Sequence, residues 1–114
     1  MSWQVKGREL KTPGGAVTSF ALDIGEVVEV DDVLVVTLKV PPGHTMTENV
    51  FGISKNGGIL WQIERVRETS TDPLDYYVGV TTYFKNTVSV ANYNGQVASI
   101  DVLTGKIVNI KWLK

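Results

Sequence analysis

The sequence predicts an all-β protein. It reads as two four-stranded antiparallel meander units, blade-like, packed as a sandwich or open barrel, with an extra N-terminal strand. Three observations lead there. Apolar residues recur at period two, the spacing of a half-buried strand. Turn residues interrupt the chain at short intervals, leaving runs of strand length between them. The chain also repeats itself at a period in the forties, which marks stacked supersecondary units.

The elements follow in order. Trp3–Leu10 reads as the extra strand, with Pro13-Gly14-Gly15 after it. Phe20, Leu22 and Ile24 alternate with Ala21 and Asp23, and Val28 and Val30 continue the strand. Asp31-Asp32 suits a turn. Val33–Leu38 is apolar at nearly every position, as expected of a central strand covered on both faces. Pro41-Pro42-Gly43 stops it, because proline cannot donate to a ladder. Val50–Ser54 and Ile59–Ile63 form the next pair around Asn56-Gly57-Gly58. Arg65–Asp75 is polar and lacks an apolar stripe, so it reads as a linker. Tyr76–Phe84, Thr87–Tyr93, Gln96–Asp101 and Ile107–Trp112 are β-branched and aromatic. Between them lie Lys85-Asn86, Asn94-Gly95 and the turn from Asp101 to Lys106. Asn94-Gly95 predicts a two-residue type I′ hairpin. Asp101 is placed to cap its turn, and Gly105 to take the left-handed conformation.

Val50–Ser54 matches Val97–Asp101, and Gly57–Trp61 matches Gly105–Asn109. The offset is 47 residues before the turn and 48 after it. The repeat units are residues 17–64 and 76–113 of a single domain, 1–114, with residues 65–75 between them. The first unit carries a long insertion, Pro41–Asn49, where the second has only Asn94-Gly95.

The segment Gly95–Lys106 resembles the repeat of quinoprotein-type, PQQ-like β-propellers. That repeat has a glycine, a strand ending in Asp, Thr-Gly-Lys, and a Trp four residues after the second glycine. Trp61 stands four residues after Gly57, whereas Asn109 takes that place in the second unit, and Ser54 stands where the second unit has Asp101. The segment Gly57–Ile63 also resembles small uncharacterised bacterial proteins with the pattern Gly-x-Ile-Leu-Trp-Gln-Ile. A propeller ring needs about 4–8 blades. Two units would therefore pack on each other, curl into a barrel, or be completed by other copies. The quinone cofactor of such enzymes sits over a complete ring and is not implied, so no cofactor is expected.

The hairpin register assigns faces. With Tyr93 opposite Gln96, Ala91 faces Ala98 and Val90 faces Ser99. One face then carries Val78, Val80, Phe84, Ala91, Ala98 and Ile100 as core. The other carries Tyr77, Thr81, Tyr83, Val88, Val90 and Val97. That second face is too apolar for water, and exposed apolar patches mark interaction sites. Its cover would be Trp3–Leu10, a second copy, or a foreign partner.

Composition narrows the functions. Lys and Arg total 11 against 12 Asp and Glu. No basic run is present to bind phosphate, so nucleic acid is not an expected partner. The chain has no cysteine, which removes thiol chemistry and disulfides and suits a cytoplasmic location. The N-terminus lacks a signal-peptide pattern. Hydrophobic runs fall short of the roughly 20 residues that span a bilayer, so no membrane is expected either.

Candidate chemistry is sparse. His44, the lone histidine, lies in the loop after the double proline. One histidine without cysteine makes a poor zinc site, since three or four ligands are needed. Asp72 and Asp75, with Glu64 and Glu68 near in sequence, could pair as acid and base or hold calcium, or simply be solvated. Ser89, Ser99 and Thr81 have no base nearby in sequence, and no nucleophile elbow or phosphate loop occurs. Trp61 and Trp112 share faces with aliphatic residues and read as core; Trp3 is the freest of the three. The expected function is a non-enzymatic protein-interaction module that forms a homo-oligomer, or binds a protein partner, through an apolar sheet face or edge. The alternative is a small-molecule-binding protein or minor hydrolase. Its pocket would lie between the sheets, near the His44 and Asp72–Asp75 loops. Tyr77, Thr81, Tyr83, Val88, Val90, His44 and Asp75 are the candidate binding residues, with none assigned to catalysis or metal.

Overall fold

A computed structural model describes residues 3–44, 46–64 and 76–112. Eleven strands form among them, in three antiparallel sheets that stay open rather than closing into a barrel. The first sheet joins β1 (Gln4–Lys6), β2 (Glu9–Lys11) and β3 (Val17–Ser19) in that order. The second runs β4 (Ile24–Val30), β5 (Val33–Leu38), β6 (Val50–Ser54) and β7 (Ile59–Gln62). The third runs β8 (Tyr77–Phe84), β9 (Thr87–Asn92), β10 (Gln96–Asp101) and β11 (Ile107–Trp112). Both four-stranded sheets are simple meanders, as the turn chemistry predicts.

The N-terminal sheet departs from expectation. Trp3–Leu10 is not one strand. Gly7 takes φ 61° and turns the chain back on itself, so β1 and β2 pair as a hairpin. Val17–Ser19 then adds to β2. The first four-stranded unit therefore begins at Ile24 rather than at residue 17.

Sheet order and packing make three layers. β5 is buried at all six positions. Alternation sends Val33 and Val35 to one side, and Leu34, Val36 and Leu38 to the other. On the first side they meet Tyr77, Val88, Val90, Ala98 and Ile100 of the third sheet, with Val50, Trp61 and Ile63 from their own side of the interface. On the second side they meet Leu10, Leu22, Ile24 and Ile53, with Trp3, Phe20 and Phe51 around them. Each such side chain contributes about 1.5–3 kcal/mol when fully buried. The middle sheet thus belongs to two cores.

The internal repeat is visible in the hydrogen-bond register. β6 and β7 slip by one residue between Gly52 and Ile53, and β10 and β11 slip between Ser99 and Ile100. The extra residues are Leu60 and Val108, so the bulge recurs at matching places. The offset changes from 47 to 48 before the bulge, because the turn between the paired Ile53 and Ile59 is one residue shorter than that between Ile100 and Ile107.

The third sheet corrects the expected register. Asn94-Gly95 does not make a two-residue hairpin. Val97 pairs with Ala91 and Ala98 with Val90, so Tyr93, Asn94 and Gly95 form a three-residue loop. Gly95 takes φ 97°, the left-handed position such loops place before the second strand. Side-chain amides stabilise the longer loop. Asn92 Oδ1 accepts from the Asn94 amide at 3.0 Å, and Asn94 Oδ1 accepts from the Gln96 amide at 2.8 Å. The one-residue slip re-sorts the faces. Val88 and Val90 enter the core beside Ala98 and Ile100. Val78 and Phe84, expected inside, are 54% and 74% exposed. Two register shifts in β8 add to the change. Of the face expected to need an outside cover, Tyr77, Val88 and Val90 are covered by the chain's own second sheet, while Thr81 and Tyr83 stay exposed.

Trp61 joins the second sheet to the third. Its indole Nε1 donates to the Val102 carbonyl at 2.7 Å. Its ring lies against Gly52 and Gly105, and a Cβ on Gly105 would come within 2.5 Å of Trp61 Cγ. The first and second sheets meet at the matching turn. There Thr18 Oγ1 donates to the Gly57 carbonyl at 2.7 Å, and a Cβ on Gly57 would lie 2.7 Å from that of Ala16. A glycine turn held by the preceding sheet is therefore the joint used at both interfaces.

Candidate functional site

The residues selected from sequence do not converge. Tyr77, Val88 and Val90 are fully buried in the core between the second and third sheets. Thr81 and Tyr83 are exposed on β8, with Thr81 Oγ1 donating to the Ser89 carbonyl at 3.2 Å. His44 is exposed, and its amide donates to the Pro41 carbonyl in a tight turn. Asp72, Asp75 and Glu68 lie outside the described residues. Glu64 is tied to the fold: its carbonyl accepts from Tyr77 Oη at 2.9 Å, and its Oε1 accepts from the Ile107 amide at 3.2 Å. Asp101 caps its turn as expected, accepting from the Leu103 amide at 2.8 Å.

The tryptophans also divide differently. Trp61 is core, as expected. Trp3 is not free but packs against the second hydrophobic cluster. Trp112, expected in the core, is 61% exposed. It stands opposite Gln96, at the outer end of the sheet, beyond the reach of the sheet that covers Val88 and Val90.

Two surfaces stand out. The first is β11, an edge of the third sheet that pairs with no further strand among the described residues. Val108, Asn109, Ile110, Lys111 and Trp112 are all exposed. An edge strand presents a row of unpaired backbone groups to any chain that can pair with them. A carboxylate caps one amide on each edge strand, Glu64 at Ile107 of β11 and Glu26 at Val80 of β8 (2.9 Å), but β8 also lies beside β4.

The second is a cleft of about 280 Å³ where the end of β5 meets the start of β8. Gly25, Thr37, Leu38, Lys39, Val40 and Tyr76 are among its lining residues. Asn49, fully buried, sets this junction. Its Nδ2 donates to the carbonyls of Leu38 at 2.9 Å and Tyr77 at 2.7 Å, and its Oδ1 accepts from the Tyr77 amide at 2.7 Å. The side chain replaces a short piece of β-ladder between the two sheets. Sequence reasoning placed a pocket between the sheets near the His44 and Asp72–Asp75 loops; His44 does not line this cleft, Asp72 and Asp75 lie outside the described residues, and Asn49, Thr37 and Lys39 were not named as site residues. A signal existed for Thr37: it is the one hydroxyl in the apolar run Val33–Leu38. No helix among the described residues is long and apolar enough to cross a membrane.

The architecture has a counterpart among solved structures. The chain is similar to BamB from Moraxella catarrhalis, with a TM-score of 0.61 and 20% sequence identity over 85% of this chain and 26% of that one. The likeness is one of fold, that of blade-like β-propeller sheets, and this chain spans about a quarter of BamB's length. No curated protein matches the sequence. A family model described as a domain of unknown function, DUF7957, matches residues 1–112, and the chain belongs to that family.

Proposed function

We propose that the protein is a non-enzymatic interaction module that self-associates through β11. One observation carries the reading: a six-residue edge strand keeps Val108, Ile110 and Trp112 at 62%, 37% and 61% exposure. The strand Ile107–Trp112 holds a single charge, Lys111. Protected edges are usually short, charged or covered. β7, the corresponding edge of the second sheet, has four residues and turns Trp61 inward to dock. β11 has Asn109 at that position and makes no such contact with a following sheet among the described residues.

A second copy suits this edge because antiparallel pairing about a two-fold axis brings identical strands together. Each copy then supplies both the backbone row and the apolar side chains. Sedimentation velocity between about 1 μM and 1 mM protein tests the idea, a range that spans weak to moderate dimers. The expected result is a concentration-dependent dimer that Ile110→Lys returns to monomer without loss of fold. A monomer at every concentration would overturn it. So would a dimer indifferent to both Ile110→Lys and Trp112→Glu.

A further inference from the structure

We infer that the cleft between β5 and β8 is a binding site for a small monocarboxylate with a short apolar or aromatic body. The inference is independent of self-association at β11. Three features of the cleft support it.

The first is a hydroxyl without a partner. Thr37 is 3% exposed, and its Oγ1 is buried and makes no hydrogen bond among the described residues. Leaving such a group unsatisfied carries the desolvation penalty of a buried polar atom with nothing to offset it. Thr37 follows Val35 on the same face of β5, so its side chain lies between the sheets, where the cleft opens.

The second is an unpaired cation. Lys39 is exposed and forms no ion pair or side-chain hydrogen bond among the described residues. Its stem runs across Gly25, where an added Cβ would lie 3.0 Å from Lys39 Cγ and 3.3 Å from the Thr37 carbonyl. Gly25 has no positive φ that would call for glycine. A side chain there would crowd the lysine stem. A second cleft of about 250 Å³ shares Lys39 and Val40 and includes Arg8, but Arg8 Nε already donates to Asp23 Oδ1 at 3.3 Å. Of these two cations, Lys39 is the one without a side-chain partner among the described residues. The nearby carboxylate of Glu26 is engaged by the Val80 amide.

The third is the wall. Leu38, Val40, Tyr76, Tyr77 and Val78 complete the lining. A mostly apolar cleft with a few directed polar groups is the usual form of a small-ligand site. At about 280 Å³ it lies just below the usual range of such sites, which suits a ring or short chain rather than a nucleotide. A carboxylate would pair with the Lys39 ammonium, and its entry would uncover the Thr37 hydroxyl, closed to solvent in the unbound chain, as a second donor, while its body would lie along Tyr76 and Val78.

Amide chemical-shift titration of the intact protein with sodium benzoate tests the site, with inorganic phosphate as a second arm. Saturable shifts at Gly25, Thr37, Lys39 and Tyr76 are expected with benzoate, and weaker binding with phosphate, which gains nothing from the apolar wall. Lys39→Met should weaken benzoate about tenfold or more, the value of a hydrogen bond to a charged group. Thr37→Val, which keeps the shape of the side chain, should also weaken it. Shifts that do not saturate, or that fall elsewhere, would overturn the inference. So would a Lys39→Met variant that binds as the parent does, or phosphate binding as tightly as benzoate. Lys39 is exposed, so its variant remains a valid test even if Thr37→Val disturbs the core.

Discussion

The two four-stranded sheets share their strand order and the place of their bulge, yet they differ in how they are covered. β4–β7 has protein on both faces, and β5 shows no exposed residue. β8–β11 contributes Val88, Val90, Ala98 and Ile100 to a single core. Its last strand is almost wholly exposed. The difference comes down to the residue at one repeated position. Trp61 leaves the second sheet to dock on the Gly105 turn of the third. Asn109 stands at the matching place in the third sheet and is exposed. A repeat unit therefore holds its shape through its meander, while its neighbours depend on what its fourth strand carries outward.

Exchanging that residue should break the comparison most sharply. Trp61→Ala removes a buried ring and its hydrogen bond and should cost about 3–5 kcal/mol. Asn109→Ala, at the equivalent but exposed position, should stay within about 0.5 kcal/mol. Urea denaturation of both variants checks this, and equal losses would dissolve the distinction between the sheets. Asn49→Ala should come next. It strips partners from the Tyr77 amide and from the Leu38 and Tyr77 carbonyls at the junction of the two sheets. A loss of about 2–3 kcal/mol is expected, since buried groups would be left unsatisfied. Amide exchange should quicken first at the start of β8.

The smallest effect belongs to Lys55, at the joint of the first and second sheets. Its Nζ donates to Asp32 Oδ1 at 2.8 Å and lies 2.9 Å from Glu29 Oε2. The hydrogen bond to Asp32, then that to Glu29, raises the ammonium above the ordinary lysine value. A raised folded-state pKa means a contribution fully present below the unfolded value, which is about 10.4 for lysine, and lost as pH rises through the folded one. Thermal melts should therefore show no Lys55-dependent change between pH 6 and 9, and a small loss only at higher pH. Lys55→Met should abolish that alkaline component while lowering the neutral-pH melting temperature little, as expected of surface ion pairs.

Turn chemistry made most of the architecture legible. Asp31 and Asp32 take φ 48° and 66°, as a two-residue type I′ turn requires. Gly57 and Gly105 are likewise left-handed where the repeat predicts turns. The Asn94-Gly95 loop was less legible. A local dipeptide favours a two-residue hairpin, but Asn92 and Asn94 together stabilise one residue more. That single residue moved Val88 and Val90 from a presumed interaction face into the core. The cleft itself was not legible, because Lys39 and Gly25 meet through a bulge that period-two reasoning does not register.

By itself, then, the sequence determined the strands, the meander order and the recurrence of the unit, because backbone conformation and alternation are local properties. Which faces became core, which edge stayed open, and where a threonine and a lysine line the same cleft were decided by tertiary structure. Those outcomes depend on register slips and inter-sheet contacts between residues far apart in the chain, and a shift of one position reverses them.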